Sequence, residues 1–360
     1  MVHFHHLNHL SLNLPRIAKE AGCVVLYTLH DFWLMCPRGQ FLITGPTAQE
    51  PWQQCDGQND AKCAGYCYTN RYATSCSSSE KLELEYWTRW IGLRMEAVRD
   101  ACDSIDAFIA PSHHLQRKFE TQFLLPEDKI MFLPYGFDRE RLAGRQRARN
   151  FDEVCSDDEP YVFAYIGRHQ PSKGINLLIE AALKLIKDDP SIIGQFVVKI
   201  FGRSDMNSTA ALQRLVSEAL PEAHAPSAIF QWFPEYNNFT IVNDVFNNVD
   251  AIVVPSIWEE NSPLVIQEAQ QAGVPVISSA AGGMGELVKN EINGLTFKHR
   301  DHNSLAAAML KALNDPSSMC AMGAHGYLYS ESGNVPCAFE HADKVLMLYA
   351  RLLHGDSTHV

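Results

Sequence analysis

In the stretch from Ser256 to Gly283, SIWEENSPLVIQEAQQAGVPVISSAAGG, the carboxylates of Glu260 and Glu268 are separated by seven residues. Between them Ser262 is a helix-capping residue type, and Pro263 suits a first helical turn, where a missing N–H costs nothing. Gly273 fits the position just past the other end. The amides expected to be free at Leu264 and Val265, with the positive end of the helix dipole, attract an anion or a hydroxyl-rich ligand. A helix starting there carries Glu268 one turn beyond Leu264 on the same side, so both acids can face one crevice. Charged residues are mostly exposed, and two ordinary surface acids are the competing reading. The acids follow the apolar strand AIVVPS, however, and the C-terminal ends of strands are where open α/β sheets bind ligands.

A second group sits in YIGRHQPSKGIN, where Arg168 and Lys173 flank a Gly and Pro turn between a strand and a helix. A guanidinium and an ammonium at a helix start make a diphosphate clamp; a solvated basic turn is the plainer alternative. In SAAGGMGEL, Gly282, Gly283 and Gly285 let backbone amides approach a ligand, or form an ordinary turn. No dinucleotide fingerprint is present, which argues against a nicotinamide oxidoreductase.

The elements that must position these groups alternate. SLNLPRIAKEAG predicts a helix ending at Gly22, and CVVLYTL a buried strand that delivers His30 and Asp31 to a loop. Residues 37–79 read as an irregular excursion, EKLELEYWTRWIGLRMEAVRDAC as a long helix, and IDAFIAPS and KIMFLPYGFD as further strands. RQRARNFDEVCSDDEP, near residues 137–160, reads as a linker with solvated charges. The alternation then restarts with YVFAYIG, INLLIEAALKLIKD, FVVKIFG, AALQRLVSEAL, AIFQWF, AIVVPS, PLVIQEAQQA and VPVISS. Val- and Ile-rich strands alternating with helices predict a second parallel sheet covered on both faces. AFEHADKVLMLYARLLHG closes the chain as an amphipathic helix able to pack on either domain.

A chain of 360 residues, 46% hydrophobic, is long enough for two globular domains. Its net charge of -12 excludes broad nucleic-acid binding, so an anionic ligand must be held locally. The absence of a long apolar run or a secretory leader makes the cytoplasm the default location, with peripheral membrane contact left open. Cys36, Cys55, Cys63 and Cys67 are spaced without paired C-x2-C knuckles. Reduced thiols are the expectation, with a structural zinc as the alternative.

The combination GRHQPSKG, VKIFG, PSIWEENSPLVIQEA, GVPVISSAAGGMGELV and NGLTF resembles the nucleotide-sugar-binding domain of GT-B-fold retaining glycosyltransferases of family 4, the glycosyl transferases group 1. The resemblance spans nearly all of residues 160–300. LYTLHDFWLMCPRGQ, APSHHLQRKF and LPYGFD resemble the acceptor-side domain of the same family. The implied fold class is α/β, GT-B, with two Rossmann-like domains facing a cleft. The first is expected to be incomplete, because the family's first strand lies upstream of HFHHLNHLS, where Met1 already stands.

The implied layout is an acceptor-side domain at 1–136 with a Cys-rich loop at 36–79, a donor-binding domain at 137–337, and a helix at 338–360 packing back across the domains. By resemblance, Glu268 binds the ribose hydroxyls, Glu260 the donor sugar, and Arg168 and Lys173 the diphosphate. Gly167, Asn261, Ser262, Pro263, Leu264, Gly282 and Gly283 line the donor site. His30 matches a loop histidine near the donor sugar and acceptor; His5 and His6 are weaker candidates. Phe230 to Phe233 could hold the base. The implied reaction needs no cofactor or divalent metal, takes a UDP- or GDP-linked sugar as co-substrate, and serves a glycan or lipid-linked acceptor in cell-surface polysaccharide or glycolipid assembly. The alternative is an inactive truncated homologue that binds a nucleotide sugar or a protein partner.

Overall fold

Short runs of β-branched and aromatic residues ending in Gly, Pro or Ser become strands, and the amphipathic runs between them become helices. The structure, a computed structural model, describes residues 1–44, 52–69, 77–146, 159–203, 206–220 and 225–354. Contacts divide the chain into two compact units. Unit 1 comprises Met1–Gly136, Trp258–Ser262 and Phe339–Val360; unit 2 comprises Phe137–Ile257 and Pro263–Ala338.

Unit 1 runs β1 (Val2–Phe4), α1 (Leu14–Glu20), β2 (Val25–Thr28), α2 (Asp60–Cys63), α3 (Ser77–Asp103), β3 (Ala107–Ala110), α4 (His113–Gln122) and β4 (Ile130–Phe132). Its sheet has the order β1-β2-β3-β4, every pairing parallel. Strands β2 and β3 are buried along their whole length, as a sheet covered on both faces requires. Two elements carry too few apolar residues to stand out in sequence. Strand β1 has three residues, and α4 is started by Ser112, whose hydroxyl accepts from the Leu115 N–H at 3.1 Å.

The excursion expected at 37–79 is partly helical. Asn59 caps α2 by accepting from the Lys62 N–H, and a π-helical turn, Ala64–Tyr68, follows. Together they bury Cys63, Cys67 and Tyr68 against Ile91 and Met95 of α3. Residues 45–51 and 70–76 of that stretch lie outside the described residues.

Unit 2 runs β5 (Tyr161–Ile166), α5 (Ile175–Asp188), β6 (Phe196–Phe201), α6 (Met206–Ala219), β7 (Phe230–Phe233), α7 (Ile241–Asp244), β8 (Ala251–Val254), α8 (Leu264–Gln271), β9 (Val276–Ser279), α9 (Gly282–Leu287), β10 (Gly294–Phe297), α10 (His302–Asn314) and α11 (Pro316–His325). The sheet order is β10-β9-β8-β5-β6-β7, again parallel throughout. Its core includes Phe163, Phe196, Phe230, Val198, Ile200 and Ile277, all within 1% of full burial. Each buried Phe contributes about 1.5–3 kcal/mol. The chain builds outward from β5 in one direction, then returns through β8 to build in the other. The crevice outside the C-terminal ends of β5 and β8 is thus the topological switch point of this sheet.

The last helix, α12 (Ala338–His354), buries Leu348 against Leu26, Ala107, Ile109 and Leu133 of unit 1. The solvated linker expected near 137–160 is corrected over its first part. Arg145 donates to the carbonyls of Phe246, Gly273 and Val249 at 3.0–3.1 Å, because a guanidinium fork satisfies carbonyls orphaned at turns and helix ends. Residues 147–158 lie outside the described residues. Among those described, no helix is long and apolar enough to cross a membrane.

Candidate functional site

At the switch point of unit 2 two loops converge on glycines. Gly174 sits in the left-handed region at φ 73°, and a Cβ there would lie 1.8 Å from the carbonyl oxygen of Pro255, just past β8. A Cβ on Gly202 would lie 2.1 Å from the Gly167 carbonyl oxygen. Only residues without side chains let the ends of β5, β6 and β8 close this far. The Ile257 N–H then donates to the Ser172 carbonyl at 3.1 Å, and Arg300 donates to the Ile257 carbonyl at 2.8 Å. This frame holds Arg168 and Lys173 on the loop between β5 and α5. Arg168 is exposed, while the Tyr165 hydroxyl donates to its carbonyl at 2.6 Å; Lys173 is half-buried.

Across the switch point, Glu268 lies on α8 and is buried, with 6% exposure, so it is no ordinary surface acid. Arg141 reaches it with Nη2 at 3.0 Å from Oε1 while Nη1 donates to the Asn238 carbonyl. A buried carboxylate requires such a partner. Tyr236 stands nearby, its hydroxyl pushed up to about 12 by burial and then by the Glu268 charge. Neither Arg141 nor Tyr236 was marked by the sequence. Arg141 is 127 positions from Glu268 in a segment without periodicity, and no local signal reveals it.

The expected Ser262 cap is corrected. The N-cap of α8 is Pro263, which has no side-chain oxygen, so the first-turn amides at Leu264 and Val265 have no side-chain cap. Leu264 is half exposed, and Gly273 takes the left-handed position past the helix as expected. Gly282 and Gly283 open the short helix α9 after β9, again without a side-chain cap. Phe230–Phe233 form β7, where Trp232 meets His169 edge-on at 5.5 Å. His169 is itself buried, which lowers its pKa, and Nδ1 lies 2.9 Å from the Thr209 hydroxyl.

The segment Trp258–Ser262, expected within the donor-binding half, groups with unit 1. Asn261 and Glu259 find partners there. Ser112 Oγ donates to Asn261 Oδ1 at 2.6 Å, and Asn261 Nδ2 donates to the His30 carbonyl at 3.2 Å. Glu259 Oε2 lies 3.2 Å from His114 Nε2 and 2.9 Å from Lys118 Nζ, and its pKa is lowered to about 2, first by His114 and then by Lys118. Trp258 packs edge-on against Phe32 at 6.2 Å. Glu260, Asn261 and Ser262 are all buried. The structure therefore brings His30 and Asn261 together in unit 1, and Arg141 and Glu268 together in unit 2.

The ring of His30 is occupied at both nitrogens, with Nδ1 2.7 Å from the Tyr135 hydroxyl and Nε2 3.1 Å from His5 Nδ1. Burial and then the neighbouring His5 lower its pKa. His6 Nε2 lies 3.5 Å from Asp31.

Of the four clustered cysteines, Cys36, Cys63 and Cys67 are buried, and all four are free thiols. Burial pushes the Cys63 thiol up to about 11 and also raises Cys67, so both pack as neutral groups. Among the described residues, no group of three or more His, Cys, Asp or Glu is placed to hold a metal ion.

Two Rossmann-like units, each on a parallel sheet with loops gathered at the C-terminal strand ends, define the GT-B fold. Solved structures agree. The Anabaena protein HepE in complex with UDP superposes with a TM-score of 0.63 at 15% identity, covering 94% of this chain and 76% of that one. The UDP-forming α,α-trehalose-phosphate synthase of Burkholderia vietnamiensis gives 0.63 at 14% identity, covering 98% and 70%.

The family model described as glycosyl transferases group 1 matches residues 146–328, half of the chain, and the chain belongs to that family. Among curated relatives, the D-inositol 3-phosphate glycosyltransferase of Geodermatophilus obscurus is 26% identical over 208 residues, covering 58% of this chain and 45% of the relative. An uncharacterized glycosyltransferase of Methanocaldococcus jannaschii is 27% identical over 212 residues, covering 58% and 50%. The chain spans about half the length of the curated relatives it matches.

Proposed function

We propose that this protein is a retaining, family 4 glycosyltransferase that moves a hexosyl or related sugar from a nucleotide-diphosphate sugar to an acceptor hydroxyl. The observation that carries the reading is the buried Glu268, one carboxylate oxygen held by Arg141 at the switch point of the family-matched unit. Its second oxygen is suited to accept from ribose hydroxyls. Arg168 and Lys173 neutralise the diphosphate, Glu260 holds the donor sugar, and the backbone N–H groups of Asn261, Ser262 and Leu264 add donors to its phosphates. Fixed cations where leaving-group charge develops stabilise the transition state without reorganising, so a divalent metal is not required of this scheme. As the bond from the anomeric carbon to the diphosphate oxygen breaks, the acceptor oxygen bonds to the same face of that carbon. The acceptor proton passes to the departing phosphate.

A uridine donor is favoured over a guanosine one, since a neighbour by fold is described in complex with UDP-glucose and another as UDP-forming. A glycan or lipid-linked acceptor, used at the cytoplasmic face of a membrane in cell-surface polysaccharide or glycolipid assembly, completes the reading. Calorimetric titration with UDP and GDP tests it. Glu268→Gln and Arg168→Ala are each expected to weaken UDP binding at least tenfold. Unchanged affinity in both variants would remove the assignment.

A further inference from the structure

Unit 1 stacks three imidazoles, with His3 on His5 at 4.4 Å and His5 on His30 at 5.4 Å. Five of the six ring nitrogens are spent on neighbouring side chains. His3 Nδ1 meets the Tyr349 hydroxyl at 2.6 Å and Nε2 the Thr28 hydroxyl at 2.8 Å, while Tyr135 takes His30 Nδ1 at 2.7 Å and His5 takes His30 Nε2 at 3.1 Å. His5 is exposed, and only its Nε2 meets no partner among the described residues.

With the Tyr135 hydroxyl as the donor, one proton order runs along this chain. Burial raises the Tyr135 pKa and keeps its hydroxyl protonated, and the hydroxyl's partner among the described residues is His30 Nδ1, toward which it is taken to donate. A neutral imidazole that accepts at Nδ1 carries its hydrogen on Nε2. That hydrogen must point at His5 Nδ1, because two ring nitrogens 3.1 Å apart share a single proton. His5 is thereby made an acceptor at Nδ1 and carries its own hydrogen on the outward Nε2. A ring fixed in this way presents a donor, not a base. The charged or titratable groups around the pair are His3, His6, Asp31 and Tyr135, with His341 and Tyr349 beside His3.

We propose that His5, through its outward Nε2–H, donates a hydrogen bond to a hydroxyl oxygen of the sugar acceptor, and that Tyr135 is the positioning residue that sets its tautomer through His30. The assignment rests on reading unit 1 as the acceptor side of a glycosyltransferase. It gives His30 an internal role and moves the ligand contact to His5.

Two measurements on the full chain test it. With histidine rings isotopically labelled, two-bond proton–nitrogen correlation at neutral pH is expected to show His5 and His30 both as Nε2–H tautomers, and Tyr135→Phe is expected to release His30 into a mixture. A Nδ1–H or doubly protonated His5 at neutral pH would overturn the proposal. Turnover of UDP-glucose with D-glucose as probe acceptor is expected to lose about three- to tenfold in kcat/KM for the acceptor in His5→Leu, the worth of one neutral hydrogen bond. His5→Gln, whose amide N–H reaches the same place, is expected to recover most of it. An unchanged His5→Leu that still binds UDP would also overturn it. A wild-type chain that binds no UDP would instead remove the nucleotide reading, and the tautomers would still decide the role of His5.

Discussion

The two units hold their functional groups by different physical means. Unit 2 uses backbone approach, with Gly174 and Gly202 admitting carbonyls where no Cβ fits, and then commits one guanidinium to one buried carboxylate. Unit 1 uses side chains joined in series, Tyr135 to His30 to His5, and a carboxylate, Glu259, shared by His114 and Lys118 of α4. Glu259 and Glu268 are nine positions apart, yet Glu259 meets two side chains of α4 through one oxygen whereas Glu268 meets a single guanidinium, that of Arg141. A frame of backbone contacts fails when a single atom is added. A network of side chains is tuned in smaller steps.

Gly174→Ala should have the largest effect. The left-handed conformation costs an alanine about 1–2 kcal/mol, and the added Cβ must also displace the Pro255 carbonyl 1.8 Å away. Destabilisation of about 4 kcal/mol or more is expected in urea unfolding, in the range reserved for severe lesions. Gly273→Ala is the matched control, since φ is 70° but nothing lies within 4 Å of the added atom. A loss of about 1 kcal/mol is expected there from conformation alone. Equal losses in the two variants would show that close approach contributes nothing.

The two carboxylates give the next contrast. Arg141→Ala leaves Glu268 buried and uncompensated, at a cost of about 3 kcal/mol. Glu259→Gln breaks a pair at side chains 15–25% exposed, and about 1 kcal/mol is expected because water screens it. Thermal unfolding of both variants checks the order, and a larger loss at Glu259 would reverse the comparison.

A pH dependence completes the comparison. Burial first, then His5, His30 and His341, lowers the His3 pKa to about 4 from an ordinary value near 6.5. The unfolded chain therefore takes this proton first. The stability tied to a neutral His3 is fully present above about pH 6.5 and is lost as pH falls from there toward about 4. His3→Asn should flatten the fall in Tm over that interval, and an unaltered slope would exclude His3 as a source.

Much of this organisation is readable without coordinates. The helix over Ile175–Asp188 and the strands at Tyr161–Ile166 and Ala251–Val254 follow from runs of Val, Ile, Leu and Phe bounded by Gly, Pro and Asp, because period and punctuation are local properties. The loop with Arg168 and Lys173 and the helix with Glu268, each following a strand end, are legible for the same reason. Strand β1 and helix α4 escape because three residues or an alternating polar run carry too little pattern.

What tertiary structure alone decided is pairing. Arg141 meets Glu268 across 127 positions, Asn261 meets His30 across 231, and Tyr135 meets His30 across 105. Each contact exists because a polar group left the solvent and had to find a partner among whatever the fold brought near. Periodicity along the chain reports which face of an element is buried and says nothing about which distant side chain waits there. The sequence thus determined two parallel α/β sheets and the loops at their strand ends, while the fold chose which acid meets Arg141 and which imidazole is exposed.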